Sequence, residues 1–275
     1  AQNGKQQVKV WHFMNHAAGL SGMDEHMTPQ DMYDWDKMVS TLAAQAPWWE
    51  PGSVSGYHAL TQGYLIGELV RRITGKSLGT YFQEEIAAPL NADFHIGVPE
   101  SEFPRIGLLI PAGDGSSPSA DEGSIAGRTF ASPFAPASES WTDEWRRAEI
   151  PAANGHSNAR AIARLQAPLA CKGSAFGVDL FSKETAESVM QPRISGTDLV
   201  LGVPIAFGLG FGLNSEVMPL SPNQNTCFWG GWGGSSVVVD QDASLSASFV
   251  MNKMFPGLMG DTRSFGLLQA VYQSL

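Results

Sequence analysis

Cysteine is scarce in this chain: Cys171 and Cys227 are the two in 275 residues. Two cannot build a disulfide framework, and one bridge or two free thiols both fit. Positive charge is scarce as well, with 17 Lys and Arg against 27 Asp and Glu and a formal net charge of −10. No Lys/Arg cluster offers phosphates a neutralising surface, which argues against nucleic acid as a partner. Solubility is the plain reading of that charge. Long apolar runs are missing: none approaches the ~20 residues of a membrane span. Histidine is sparse, six in all. His12 and His16 are four apart on an expected helix, but Phe13 stands where a His-Glu-x-x-His metal hydrolase needs Glu. Neither a metal nor an organic cofactor is implied. Internal repeats and low-complexity tracts are absent, and the compartment is left open.

What is present describes an ordinary globular chain. Hydrophobic residues make up 43% and charged residues 16%, and the length suffices for a sizeable core in one or two domains. Eight Trp and thirty Gly fit an aromatic-lined cleft edged by tight turns, and equally a packed core.

Local signals order the chain. A short helix over 8–16 meets a glycine stop. Thr28-Pro29-Gln30-Asp31 is a capping-box start for a helix to about residue 45. The strongest helix covers 60–73 and closes at Gly75. Ser77 opens another to about 90, and 93–98 reads as a strand. From 107 to 153 the pattern weakens, with Gly, Ser and Pro gathered in 113–123. A loop of that length is a lid or a surface insertion. Helices follow over 157–171 and 182–191, then strands over 205–213, 228–240 and 245–252. Asp261 caps a last helix. Helices, then antiparallel strands, then a helix predict an α+β fold. Residues 1–204 form its mainly helical subdomain, with the cleft loop at about 107–150, and 205–275 its sheet and terminal helix.

Two segments carry chemistry. Pro51-Gly52-Ser53-Val54-Ser55-Gly56-Tyr57-His58-Ala59-Leu60 sets a tyrosine at the mouth of the strongest helix, after a glycine-rich turn. A phenol with a pKa of about 10 is a poor base at neutral pH, and becomes a useful one when a cation stabilises its phenolate. The second segment is Phe228-Trp229-Gly230-Gly231-Trp232-Gly233-Gly234-Ser235, running into Val237-Val238-Val239-Asp240. Its glycines would let a substrate approach the backbone closely. The Trp232 N–H would then point at a developing oxyanion. A Gly-rich hairpin with stacked tryptophans is the plainer alternative.

These segments resemble the motifs of the β-lactamase-like serine hydrolases, the group holding class C β-lactamases, DD-peptidases and family VIII carboxylesterases. Asn15-His16-Ala17-Ala18-Gly19-Leu20, Asn154-Gly155-His156 and Phe207-Gly208-Leu209-Gly210-Phe211-Gly212 add weaker matches in the family's order. The resemblance implies an antiparallel sheet flanked by helices plus a helical subdomain. It places Tyr57 and the Trp232 backbone in the chemistry, and Trp229, Gly230, Gly231 and His58 at the substrate. His16 and His156 are expected to be structural hydrogen-bonders.

The departures refine that expectation. Ala59 stands where lactamases and DD-peptidases carry Asn. Trp229 stands in place of the third-motif lysine that would hold a lactam or peptide carboxylate. Both changes favour small neutral ester substrates over lactam-like ones. The family's Ser-x-x-Lys nucleophile motif is missing, because no lysine here has a serine three residues before it. The resemblance therefore implies that the chain begins downstream of its nucleophile and that the N-terminal part of the fold is missing. The expected sheet would keep an open edge and an uncovered apolar face, so a complementary N-terminal fragment is the expected partner. The alternatives are β-lactamase or DD-peptidase-like activity, or a nucleophile-free binding protein of the same fold.

Overall fold

Thr28 and Asp31 form the capping box read from the sequence: Asp31 N–H donates to Thr28 Oγ1 at 3.3 Å and Thr28 N–H to Asp31 Oδ2 at 2.8 Å. This is seen in a computed structural model that describes residues 3–113 and 120–275. The helix expected to run on to 45 breaks after one turn. α2 (Pro29–Met32) follows α1 (Val10–Met14), and α3 (Trp35–Ala44) begins afresh. Asp34 causes the break, because its carboxylate accepts the Lys37 N–H at 3.0 Å as a second N-cap.

α4 (Thr61–Thr74) ends at Gly75, whose φ of 74° is the left-handed conformation that closes helices. Its buried face presents Gly63, Tyr64, Gly67 and Glu68. A Cβ at Gly67 would lie 2.4 Å from the Trp35 ring, so the glycine lets α3 and α4 approach closely. Tyr64 donates to the Met32 carbonyl at 2.7 Å and joins Leu20, Met27, Met38, Leu42 and Ile150 in the helical core.

α5 (Leu78–Phe82) continues as a π-helical stretch over Gln83–Ala87, and the chain then reaches β1 (Phe94–His95), shorter than expected, which pairs with β2 (His156–Ser157). The region expected to be one long loop carries α6 (Ile125–Ala131) and α7 (Asp143–Arg147), each opened by a side-chain cap from Ser124 or Thr142. Residues 114–119 of its Gly/Ser/Pro-rich stretch lie outside the described residues. α8 (Ala159–Ala170), a small hairpin of β3 (Ser174–Ala175) and β4 (Val178–Asp179), and α9 (Lys183–Val189) complete the helical run.

The remaining strands form a six-stranded antiparallel sheet in chain order: β5 (Ile194–Thr197), β6 (Pro204–Phe207), β7 (Gly212–Leu213), β8 (Thr226–Gly230), β9 (Ser236–Asp240) and β10 (Leu245–Phe249). Two expected strands each split into a pair, and β5 was not expected. Gly210 at φ 84° turns the chain between β6 and β7, and Gly233 and Gly234 at φ 101° and 116° turn it between β8 and β9. Side chains alternate across the sheet. Cys227 and Val239 pack against Leu169 and Ala170 of α8 and Ala186 of α9. Phe228 and Val238 face the other way, toward Phe207, Met259 and Leu268 of α10 (Thr262–Gln273). Both cysteines are free, Cys227 buried and Cys171 exposed. Among the described residues β10 pairs only with β9, so it forms one edge of the sheet. No described helix is long and apolar enough to cross a membrane.

Candidate active site

Residues 55–58 have no regular structure of their own, so their amides need partners from elsewhere. Gly56 N–H donates to the His16 carbonyl at 2.9 Å. Tyr57 N–H donates to Asp198 Oδ1 at 3.0 Å. His58 N–H donates to His16 Nδ1 at 3.1 Å. Helix α4 begins a few residues later, so the tyrosine stands at its mouth as the sequence predicts.

The two histidines hold opposite tautomers. His16 accepts at Nδ1, so in its neutral form the proton sits on Nε2. His58 accepts the Leu20 N–H at Nε2 (3.1 Å), and its Nδ1 lies 2.6 Å from the Gly56 carbonyl, which only an Nδ1–H can satisfy. Burial pushes the His58 pKa down to about 4, and burial with the neighbouring His58 takes His16 well below its ordinary value. Both are neutral at pH 7. His58 is fully buried with both ring nitrogens bound to main chain, so it supports the site from behind and does not line it. α1 ends before His16, which takes a φ of 61°. His12 and His16 therefore do not share a helical face. Among the described residues no group of three His, Cys, Asp or Glu side chains could hold a metal ion. His156, expected to be structural, places Nδ1 2.7 Å from the Asn154 carbonyl.

The Tyr57 ring is half-buried. It meets the His16 ring edge-on at 5.0 Å between centroids and the Trp229 ring at 5.3 Å. Burial pushes the phenol pKa up; hydrogen bonding from Trp229 pulls it back, and the Asp198 carboxylate raises it further. Asp198 is buried, and its Oδ1 also accepts the Val200 and Leu201 amides at 2.9 Å each. Its Oδ2 is buried without a hydrogen-bond partner.

Trp229 and Gly230 end β8, and 231–235 is the turn into β9, closed by Gly231 N–H to the Ser235 carbonyl at 2.8 Å. Gly230 does not open the backbone to a ligand, because a Cβ there would lie 2.5 Å from the Met259 carbonyl carbon. At Gly231 the nearest atom to such a Cβ is Ser235 Cβ at 3.8 Å, an ordinary contact. Trp232 lies in the same turn and is half-buried. The turn is held from outside by Phe255 N–H to the Gly233 carbonyl (2.9 Å), by Arg263 Nη2 to that carbonyl (3.0 Å), and by an Arg263–Asp261 ion pair. The described part of the expected cleft loop runs alongside, with Met254 N–H on the Ile110 carbonyl at 2.8 Å.

The two motifs expected to carry chemistry thus meet at the Tyr57 and Trp229 rings. Asp198 was not foreseen. Its local signal is an Asx-type turn, a side chain capping amides two and three residues on. Nothing local points to Tyr57, 141 residues away.

Comparison with known proteins places these features in context. The family model described as beta-lactamase matches residues 1–271. The esterase/beta-lactamase LipL of Mycobacterium tuberculosis is 33% identical over 286 residues, which cover 99% of this chain and 65% of that protein. The N-acetylmuramyl-L-alanine amidase of Bacillus subtilis is 24% identical, again over 99% of this chain and 65% of its own length. The chain therefore spans 65% of the length of both. Among solved structures, a family VIII carboxylesterase superposes with a TM-score of 0.92 at 36% identity, covering 100% of this chain and 73% of that one. A penicillin-binding protein homologue from Caulobacter crescentus superposes at 0.89 with 39% identity and the same coverage.

Proposed function

The chain belongs to the beta-lactamase family of hydrolases, and from that premise we propose that it supplies the Tyr57 and Trp229 walls of a serine carboxylesterase. The contact between the Tyr57 and Trp229 rings, 5.3 Å between centroids, carries the reading. It puts an aromatic face where a lysine would hold a substrate carboxylate, and Ala59 offers no carboxamide to an amide substrate. A neutral ester suits that surface.

The proposed reaction is acyl transfer in two steps. A serine carried by a Ser-x-x-Lys segment outside this chain attacks the ester carbonyl, and its proton passes to Tyr57. The tetrahedral oxyanion is held by the Trp232 N–H and the amide of the nucleophile. When the C–O bond breaks, Tyr57 returns the proton to the departing alcohol. Water then adds to the acyl-serine by the same route, and the acid leaves. Trp229, Gly231 and the 107–150 region shape the pocket, the last of these in part outside the described residues.

Tyr57 requires help in this scheme. Burial and the Asp198 carboxylate both favour the neutral phenol. A cation must therefore approach for the phenolate to form near neutral pH, and the lysine of the Ser-x-x-Lys segment is assigned that part. The open β10 edge supports the reading that a complementary fragment adds to the sheet.

The test is Tyr57→Phe in the protein carrying its nucleophile segment. Loss of the general acid–base lowers kcat for short-chain p-nitrophenyl esters by about 10²–10⁴-fold. A rate near wild type would refute the reading. The similarity to a penicillin-binding protein homologue favours lactam or peptide chemistry as a second reading. Turnover of a chromogenic cephalosporin faster than the ester would establish it.

A further inference from the structure

Three consecutive amides, those of Gly56, Tyr57 and His58, have their acceptors on two residues distant in sequence. The His16 carbonyl takes the first, Asp198 Oδ1 the second and His16 Nδ1 the third, at 2.9, 3.0 and 3.1 Å. We infer that His16 and Asp198 are the positioning residues of Tyr57, a clamp that fixes its backbone on both sides and at its own N–H. The inference rests on the esterase reading for its consequence in catalysis, but not for the clamp itself.

Each half of the clamp is itself immobilised. Asp198 Oδ1 gathers three N–H groups, from Tyr57, Val200 and Leu201. The loop that carries it is tied to the same segment by Leu199 N–H on the Ser55 carbonyl at 2.9 Å. His16 is buried and held at φ 61°, in the left-handed region that a residue other than glycine seldom occupies. Such conformations persist only where the surroundings dictate them. Its ring touches Tyr57, His58, Phe207 and Trp229, with centroids 5.0–5.8 Å apart. One residue therefore bears on both walls of the site.

The clamp also has an electrostatic side. The His16 ring and the Asp198 carboxylate face Tyr57, and the His58 ring beside it turns to the Leu20 and Gly56 main chain. The histidines must be neutral to accept at Nδ1 and Nε2, and burial keeps them so. The Asp198 carboxylate holds the tyrosine in place while opposing its ionisation.

Alanine and asparagine variants at both positions test this. Asn at 16 tolerates the left-handed backbone and carries an acceptor close to the place of Nδ1. Asn at 198 keeps Oδ1 and removes the charge. Amide hydrogen exchange at 56–58 is read by NMR in this chain. The steady-state parameters for ester hydrolysis are read in the protein with its nucleophile segment. With His16→Ala, which removes Nδ1 and keeps the main-chain carbonyl, exchange at His58 rises by about tenfold or more, and with Asp198→Ala exchange at Tyr57 does, as local opening becomes easier. A displaced catalytic group lowers kcat by about 10²-fold, with KM little changed. The Asn variants recover most of both effects. Asp198→Asn also lowers the midpoint of the Tyr57 phenol, followed by its ¹³Cζ shift and assigned with Tyr57→Phe.

Wild-type exchange in both Ala variants would overturn the clamp. So would a loss that Asn does not restore in variants whose melting is unchanged, because that would show packing alone. If exchange follows the inference while kcat is indifferent to Tyr57→Phe, the clamp stands and the esterase reading fails.

Discussion

Two glycine-bearing segments approach the site, and they are supported by opposite chemistry. At 52–56 the neighbours are neutral rings. A Cβ on Gly52 would lie 2.9 Å from His12 Nε2, and one on Gly56 2.6 Å from the Trp49 ring. The backbone beyond is held by two uncharged histidines and, at the Tyr57 N–H, by the Asp198 carboxylate. At 230–234 the neighbours are main chain, two methionine side chains (Met251 and Met254) and an ion pair. A Cβ on Gly230 would meet the Met259–Gly260 backbone, and one on Gly234 the Asp261 carboxylate at 1.9 Å. Asp261 in turn is locked as N-cap of α10 and partner of Arg263. Most of these glycines answer to the protein's own packing, and only at Gly231 would a Cβ sit at ordinary contact distance. A motif glycine is therefore not in itself a substrate-facing glycine.

The comparison breaks first at Gly230→Ala. The added methyl must displace backbone at 2.5–2.8 Å, not the tip of a side chain. Overpacking of this kind destabilises by about 3 kcal/mol. A melt should show the variant folded but several degrees less stable, and a wild-type Tm would mean that the 259–260 segment yields freely.

Acid separates the segments next. The folded pKa of His58 is about 4, below the roughly 6.5 of the unfolded chain. The unfolded state then binds more protons below 6.5, so stability is complete above that pH and declines as pH falls toward 4. His16 acts in the same direction. Asp261 is held below its ordinary value by hydrogen bonding from Arg263. Its contribution is complete above about 3.9 and declines only as pH falls below that. Between pH 6.5 and 5 the His58 term removes roughly 2 kcal/mol. Protection against exchange at 56–58, taken relative to the intrinsic rate at each pH, should therefore fall in that window before protection at Gly233 and Phe255. The reverse order would contradict the assignment of neutral histidines to the first segment.

What could be read from the sequence divides along similar lines. The capping box at Thr28, the Gly75 stop and the Asp261 cap are local patterns and were legible. That the Tyr57 and Trp229 segments belong together was legible through the residues around them, and their rings do meet. The α2–α3 break was missed because Asp34 as an N-cap outweighs the continuing apolar pattern. α6 and α7 were missed because helices of seven and five residues show too little periodicity to register. The resemblance places His58 at the substrate, and the structure does not. Its ring turns inward, to Leu20 and Gly56. Asp198 could not have been found, because an Asx-type turn looks the same whether or not a distant amide joins it.

The smallest change in stability is expected beside the largest. Gly231→Ala adds its methyl at ordinary contact distance from Ser235, and Gly231 does not have a left-handed φ. The variant should melt within about 1 kcal/mol of wild type, as surface substitutions usually do. If this backbone borders the bound ester, the methyl narrows the approach to the Trp232 amide. Ester hydrolysis then falls while folding is preserved. Equal losses of stability at Gly230 and Gly231 would remove the distinction between the glycine that packs and the glycine with room for a side chain. An unchanged Tm with unchanged turnover would place the substrate elsewhere, against Trp229 alone.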